Sequence, residues 1–356
     1  MKHGFGRATR RQVLGTVGLV GAGTAASLYL PRRAGAQVST AESLILTDEE
    51  VAEIRGRGLR LGFNMNHRTD DFINSVVEGG ELAASEYDID LLISDAHFDA
   101  AKQISDIESL LQQQVDGIFM IAVDSDSISS AIRQANRQDV PVVVVGGPPS
   151  RGEVLSVMNS ASYEGCFQGT QALLDALGGG AGKRIGVISI PLGLQTIRDR
   201  EQGSIDAIEQ AGAEMVAMQG VWSQDEALTA AQNIIQANPD LDGIFANWSR
   251  AIPGAWRAIE ESDREILLCG YDAERDGMQA LHSGEPALPN GQPILRALSG
   301  QQGILTGRAG IDALCKNALG ETVQPDILVP TVLVTHDNVE EMWNRLYPDA
   351  DPPWAG

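Results

Sequence analysis

Positive charge is what this 356-residue chain has least of: 26 Lys+Arg face 48 Asp+Glu, a formal net charge of -22. Nucleic acids and anionic membranes are gathered by clustered Lys and Arg, so neither is expected as a partner. Cysteine is sparse too. Cys166, Cys269 and Cys315 lie far apart with no CxxC pair, which leaves no zinc knuckle and no disulfide framework and fits buried free thiols. His3, His67, His97, His282 and His336 show no metal-ligand spacing. A GxSxG elbow, an HExxH helix, a Walker loop and a GxGxxG after a strand are all missing. Gly178-Gly179-Gly180-Ala181-Gly182-Lys183 has the composition of a phosphate loop, but it precedes the Ile185 strand and reads as a solvent loop. The expectation is a non-enzyme without metal or cofactor.

What is present begins with a segment of opposite charge. Residues 1 to 36 carry six basic side chains (Lys2, Arg7, Arg10, Arg11, Arg32, Arg33) and no acidic one. A basic start, the twin arginines Arg10-Arg11, an apolar Gly/Ala-rich run from Val13 to Leu30 and the small residues Ala34-Gly35-Ala36 follow in the order of a Tat-type export signal. An N-terminal membrane anchor is the competing reading. The run barely reaches the ~20 apolar residues a span requires, and Pro31 closes it. No Cys follows the small residues, so a lipid anchor is not indicated. Cleavage after Ala36 would remove six of the 26 basic residues, leaving 20 against 48 acidic ones. That acidity suits an exported, periplasmic protein.

From Arg57 onward one cycle repeats: an apolar run, a turn, then a segment with helical spacing. Leu59 to Phe63 reads as a strand, and Ile73, Val76, Val77, Gly80, Ala83 and Ala84 line one helix face behind it. Strands over 89–93, 115–123, 140–145 and 154–158 continue the series. Runs apolar at nearly every position fit strands covered on both faces, as in a parallel doubly wound sheet. The cycle restarts with strands over 185–190, 213–218, 243–246 and 266–271, alternating with helices near 196–211, 224–238, 251–261 and 276–283. The runs 294–298 and 328–335, with a helix near 307–319 between them, are left over as possible crossovers. Residues 349–356 are Pro-rich and expected to fray.

In order along the chain stand Asp71-Phe72 with Glu78-Gly79-Gly80, Val123-Asp124-Ser125-Asp126-Ser127, and Asp139-Val140-Pro141-Val142-Val143. Ile197-Arg198-Asp199-Arg200-Glu201-Gln202-Gly203, Gly243-Ile244-Phe245-Ala246-Asn247, Gly270-Tyr271-Asp272 with Asp276-Gly277, and Val332-Leu333-Val334-Thr335 follow. Each is weak alone. Their order and spacing resemble the periplasmic sugar-binding proteins of the ribose-binding type, whose lobes also occur in the lac-repressor family. No helix-turn-helix precedes them, which disfavours a repressor. The resemblance implies an α/β fold of two Rossmann-like, doubly wound parallel-sheet lobes joined by three crossover strands, the type I periplasmic binding protein. The first lobe is expected over 57–159 plus 301–330 and the second over 160–300 plus 331–347. It further implies a monomer that captures a small polar ligand, a sugar or sugar alcohol, and delivers it to the membrane permease of an ABC importer. A periplasmic sensor presenting the same ligand to a receptor uses the same lobes and stays open.

Open parallel sheets bind ligands at the carboxyl ends of their strands. A polyhydroxylated ligand needs carboxylates, amides, a guanidinium fork and an aromatic face. The candidates in those positions are Asn66, Thr69, Asp70, Asp71 and Phe72 after the first strand. Arg200, Trp222, Asn247, Trp248 and Asp272 follow later strands, and Gln301 sits at the second crossover. Phe72 also fits a helix-start core residue, and Asp70 or Asp71 a helix cap. Where the pentose binders carry an Asp-Arg pair after the fourth strand, this chain has Val145-Gly146-Gly147-Pro148. Asp71 replaces an aromatic and Trp248 an amide. The resemblance therefore does not carry over the identity of the sugar.

Overall fold

The computed structural model describes residues 38–355 except Asp70, Ser125, Gly193 and Asp349, so the expected signal segment lies outside the described residues. In chain order, β1 (Val38–Thr40), α1 (Asp48–Arg55), β2 (Arg60–Met65), α2 (Asp71–Tyr87) and β3 (Asp90–Asp95) come first. They are followed by α3 (Ala100–Gln112), β4 (Gly117–Ile121), α4 (Ser129–Arg137), β5 (Val142–Val145) and β6 (Ser156–Ser160). Next come α5 (Ser162–Ala176), β7 (Arg184–Ser189), α6 (Gln195–Gln210), β8 (Glu214–Gly220), α7 (Gln224–Ala237) and β9 (Gly243–Ala246). Then follow α8 (Ala251–Ser262), β10 (Leu267–Tyr271), α9 (Arg275–Ser283) and β11 (Leu295–Gly300). The chain closes with α10 (Gly303–Ala318), β12 (Asp326–Val329), β13 (Val332–Thr335) and α11 (Val339–Leu346).

The strands form two sheets, ordered β1-β12-β6-β5-β4-β2-β3 and β13-β11-β10-β9-β7-β8. Every pairing is parallel except β11 with β13. The Val-rich β5 and the wholly buried β4 show why the apolar runs read as strands: helices cover both faces, so no polar alternation is needed. The chain passes between sheets after β6, after β11 and after β12. The run over 328–335 divides at Pro330, which has no N–H to extend either ladder, so its halves fall in different sheets. The run over 294–298, left as a possible crossover, is β11, paired in parallel with β10, and the chain changes sheet directly after it.

Three elements escape a periodicity reading. β1 and α1 extend the first lobe upstream of residue 57, with β1 on β12 and α1 against α2. Thr47 and Glu50 start α1 with a reciprocal capping box, a signature visible in the sequence as Thr-x-x-Glu. The buried face of α5 carries Gly165, Cys166, Gly169 and Thr170, small residues that blur the apolar period. They permit close helix contact. A methyl group at Gly203 of α6 would lie 2.2 Å from the Tyr163 carbonyl oxygen of α5. In the first lobe a methyl at Gly307 of α10 would lie 1.8 Å from the Val76 carbonyl oxygen of α2.

Cys166, Cys269 and Cys315 are free and buried. The closing segment, expected to fray, is instead held: Trp354 stacks on His282 at 4.2 Å and meets Trp343 edge-on at 5.1 Å, while Trp343 Nε1 donates to the Ala350 carbonyl oxygen at 2.9 Å. Two large aromatic surfaces covering each other outweigh the loss of chain freedom at Pro352-Pro353. Trp248, Trp256, Trp343 and Trp354 all pack on the core of the second lobe.

Candidate functional site

The post-strand candidates of the second lobe converge. Arg200, on the second turn of α6, is only 9% exposed. Its guanidinium lies 4.2 Å over the Tyr271 ring, its Nη1 donates to the Asn247 carbonyl oxygen at 3.2 Å, and the same atom is 3.6 Å from Asp272 Oδ2. Burial alone would lower the Arg200 pKa, but the neighbouring Asp272 charge and Tyr271 hold it above its ordinary value, so the cation is permanent.

Asp272 directly follows β10 with φ of 75°, left-handed backbone that a carboxamide or carboxylate residue tolerates and that collects at functional positions. Its N–H donates to the Ser299 carbonyl oxygen at 2.8 Å, fixing the turn. Gln301 Nε2 donates to Asp272 Oδ1 at 2.7 Å, and Gln301 Oε1 accepts from Ser160 Oγ at 2.7 Å. One amide thus joins the end of β6 in the first lobe to the second lobe. Its neighbour Gln302 donates to the Pro330 carbonyl oxygen at 2.8 Å and accepts from Arg345 Nε at 2.7 Å. The two glutamines therefore tie together all three places where the chain changes sheet.

Asn247 follows β9 and is fully buried. Its Oδ1 accepts from Ser204 Oγ at 3.0 Å, and Ser204 stands one helical turn beyond Arg200. Asn247 Nδ2, Trp248 Nε1 and Arg200 Nε are buried without a hydrogen-bond partner among the described residues. Such groups are rare in folded proteins and call for an explanation.

The first lobe contributes a looser wall. Asn66 Oδ1 is 2.9 Å from His67 Nδ1, and the Asn66 carbonyl oxygen accepts from the Phe98 N–H at 2.7 Å. Phe98, 58% exposed and at φ 60°, stacks on His67 at 4.0 Å. Thr69 is exposed and Asp70 is outside the described residues. Asp71 Oδ2 sits 3.7 Å from Arg275 Nε, an ion pair reaching from α2 to α9 of the opposite lobe. Phe72, partly buried, packs against the first lobe's core. Trp222, which follows β8, is 54% exposed.

Sequence reasoning passed over Tyr271, Ser204, Ser160 and Gln302, which support the others. Tyr271 reads as the last core residue of a strand. The i, i+4 spacing of Arg200 and Ser204 is the one signal that could have linked them. Among the described residues no group of three or more His, Cys, Asp or Glu could hold a metal ion, and no helix is long and apolar enough to cross a membrane. Chemically, the site offers a fixed cation, a fixed carboxylate and open N–H donors at strand ends, a set that holds polar ligands through charge-assisted hydrogen bonds.

Residues 61–322 match the family model described as a periplasmic binding protein domain. The ribose import binding protein of Bacillus subtilis (strain 168) is 29% identical over 275 residues, which is 77% of this chain and 87% of that protein. The xylitol-binding protein of Mycolicibacterium smegmatis is 28% identical over 277 residues, 76% of this chain and 75% of that one. Among solved structures, an ABC transporter periplasmic solute-binding protein from Actinobacillus succinogenes 130z with bound D-allose superposes with a TM-score of 0.70 at 20% identity, covering 80% of this chain and 99% of that one. With the model spanning most of the two-lobed chain, the protein belongs to the periplasmic binding protein family.

Proposed function

We propose that this protein captures a small polar ligand, a sugar or sugar alcohol, between its lobes and hands it to the permease of an ABC importer. The observation that carries the reading is the hydrogen-bonded group of buried Arg200 and Asn247 with half-buried Asp272 and Gln301, linked by Ser160 to the other lobe. Relatives named for ribose and xylitol support the ligand class. Membership of the family implies work outside the cytoplasm; export through Arg10-Arg11 and maturation after Ala36 complete the proposal, with the chain acting as a monomer.

A ligand that touches both lobes stabilises the closed form by its differential affinity. A thermal-shift screen over pentoses, hexoses, polyols and their derivatives should find a stabilising compound, because a ligand at 100 times its Kd adds about 2.7 kcal/mol. Small-angle scattering with that compound should give a smaller radius of gyration. A hit without compaction would move the binding site away from the cleft.

A further inference from the structure

Phe98 is the most exposed large apolar side chain among the described residues, and its backbone is left-handed. The other non-glycine residues at positive φ there are Asp, Gln and His97, so Phe98 is the one apolar side chain held in that conformation. Both features cost free energy: a phenyl group left in water forgoes its burial, and left-handed backbone suits Gly or a short polar residue. Such strain persists where neighbours impose it, and it collects at ligand clamps. Here they do impose it. Ala96 N–H donates to the Met65 carbonyl oxygen at 2.9 Å and Phe98 N–H to that of Asn66 at 2.7 Å, while His97 N–H donates to Asp95 Oδ1 at 2.8 Å. The loop after β3 is thereby strapped to the loop after β2, and the phenyl ring lies against buried His67 with 27° between the planes. One face of the ring is covered and the other is open.

These loops stand at the carboxyl ends of β2 and β3. That end of the first sheet meets the second lobe twice: Asp71, at the start of the helix that the β2 loop enters, reaches Arg275, and Ser160 at the end of β6 reaches Gln301. A sugar calls for an aromatic face against its C–H surfaces, because the face of the ring is electron-rich and C–H groups are weakly positive. Phe72 and Trp248, expected to supply it, pack against the cores of their lobes. Resting on the sugar-capture reading, we infer that Phe98 is the first lobe's stacking face: its open side takes the C–H surface of the bound sugar, and His67 backs it. Binding then buries phenyl surface that the free protein leaves in water, adding apolar contact to the charge-assisted hydrogen bonds around Arg200. The aromatic contact of the first lobe is carried by the loop after β3, not by the helix start at Asp71-Phe72.

Calorimetric titration of the purified protein with D-ribose, D-allose, D-glucose, xylitol and myo-inositol first identifies the tightest binder among them. For that compound Phe98→Ala should weaken binding about tenfold, the upper end of what an aromatic contact adds beyond burial. Phe98→Tyr keeps the ring and should stay within about threefold of the parent. Phe98→Gly separates stacking from support, because glycine takes left-handed backbone freely. It should lose affinity as Phe98→Ala does and yet melt, without ligand, within a few degrees of the parent. Unchanged affinity in Phe98→Ala overturns the inference and leaves sugar capture intact. So does a Phe98→Gly protein that melts far below the parent, since the ring would then be a prop for the loop. Folded parental protein that binds none of the five compounds overturns the capture reading and the inference together.

Discussion

The two walls facing each other across the lobes are made by the same β-α winding, yet they differ in how firmly they are set. On the second lobe Arg200 and Asn247 are buried, and Asp272 is held in a left-handed turn by the Ser299 carbonyl and Gln301. On the first lobe Thr69 and Phe98 are exposed, and the turn after β5 carries Gly146 at φ 109° in place of charged side chains. Groups fixed before binding lose little freedom when the ligand arrives, whereas exposed groups must be ordered by it. The second lobe's wall is therefore the one already set before any ligand arrives.

The helix seams test whether the lobes are equal beneath those unequal walls. Gly307→Ala and Gly203→Ala each force a methyl group against backbone, and each should cost about 3 kcal/mol, the upper end of overpacking penalties. Circular-dichroism melting checks this; parental melting in either variant would mean that seam can open at no cost. The walls themselves are compared by binding. Arg200→Ala should cost about 1.5–3 kcal/mol of ligand affinity, and Asn66→Ala about 1 kcal/mol or less, the charged and neutral hydrogen-bond scales. Arg198, exposed on α6 and donating to its helix neighbour Gln195, is the control and should leave affinity unchanged on Arg198→Ala. Equal losses at Arg200 and Asn66 would erase the asymmetry.

Acid reaches the first lobe through Glu50. Burial would raise its pKa, but hydrogen bonds from Lys316 and Thr47 hold it down from 4.5 to about 2. A depressed carboxylate contributes stability above its unfolded pKa and loses it as pH falls, so the window runs from pH 4.5 down to about 2. Lys316→Met should flatten the melting temperature across that window; an unchanged slope would assign acid sensitivity elsewhere. The smallest effect is expected at the interlobe pair. Both partners are partly exposed, so Asp71→Asn should change affinity by about 0.2–1 kcal/mol, and less in high salt.

The doubly wound lobes were legible because strands covered on both faces are apolar at every position, as in β4 and β5. Elements built on small residues or short caps were not: α5 hides its buried face behind Gly165 and Gly169, and α1 rests on a capping box instead of a long period. At the site, Arg200, Asp272 and Gln301 were reachable through family resemblance at matched positions. Their supports Tyr271 and Ser204 were not, since a strand-end tyrosine and a helical serine look like ordinary packing until the fold sets them beside Arg200. Trp222, read as a stacking face from its aromatic character, stands 54% exposed after β8, an exposure of which sequence carries no measure.

The five tryptophans of the chain have an unplanned optical consequence. Trp222 follows β8, and Trp248, Trp256, Trp343 and Trp354 pack on the second lobe's core, so the first lobe is dark in indole emission. Fluorescence of this protein is a one-sided signal. It reports the wall around Arg200 and ignores the partner lobe, while far-ultraviolet ellipticity sums both. Overlaying the two readouts during denaturation separates unfolding of the emitting lobe from unfolding of the silent one without a label being attached.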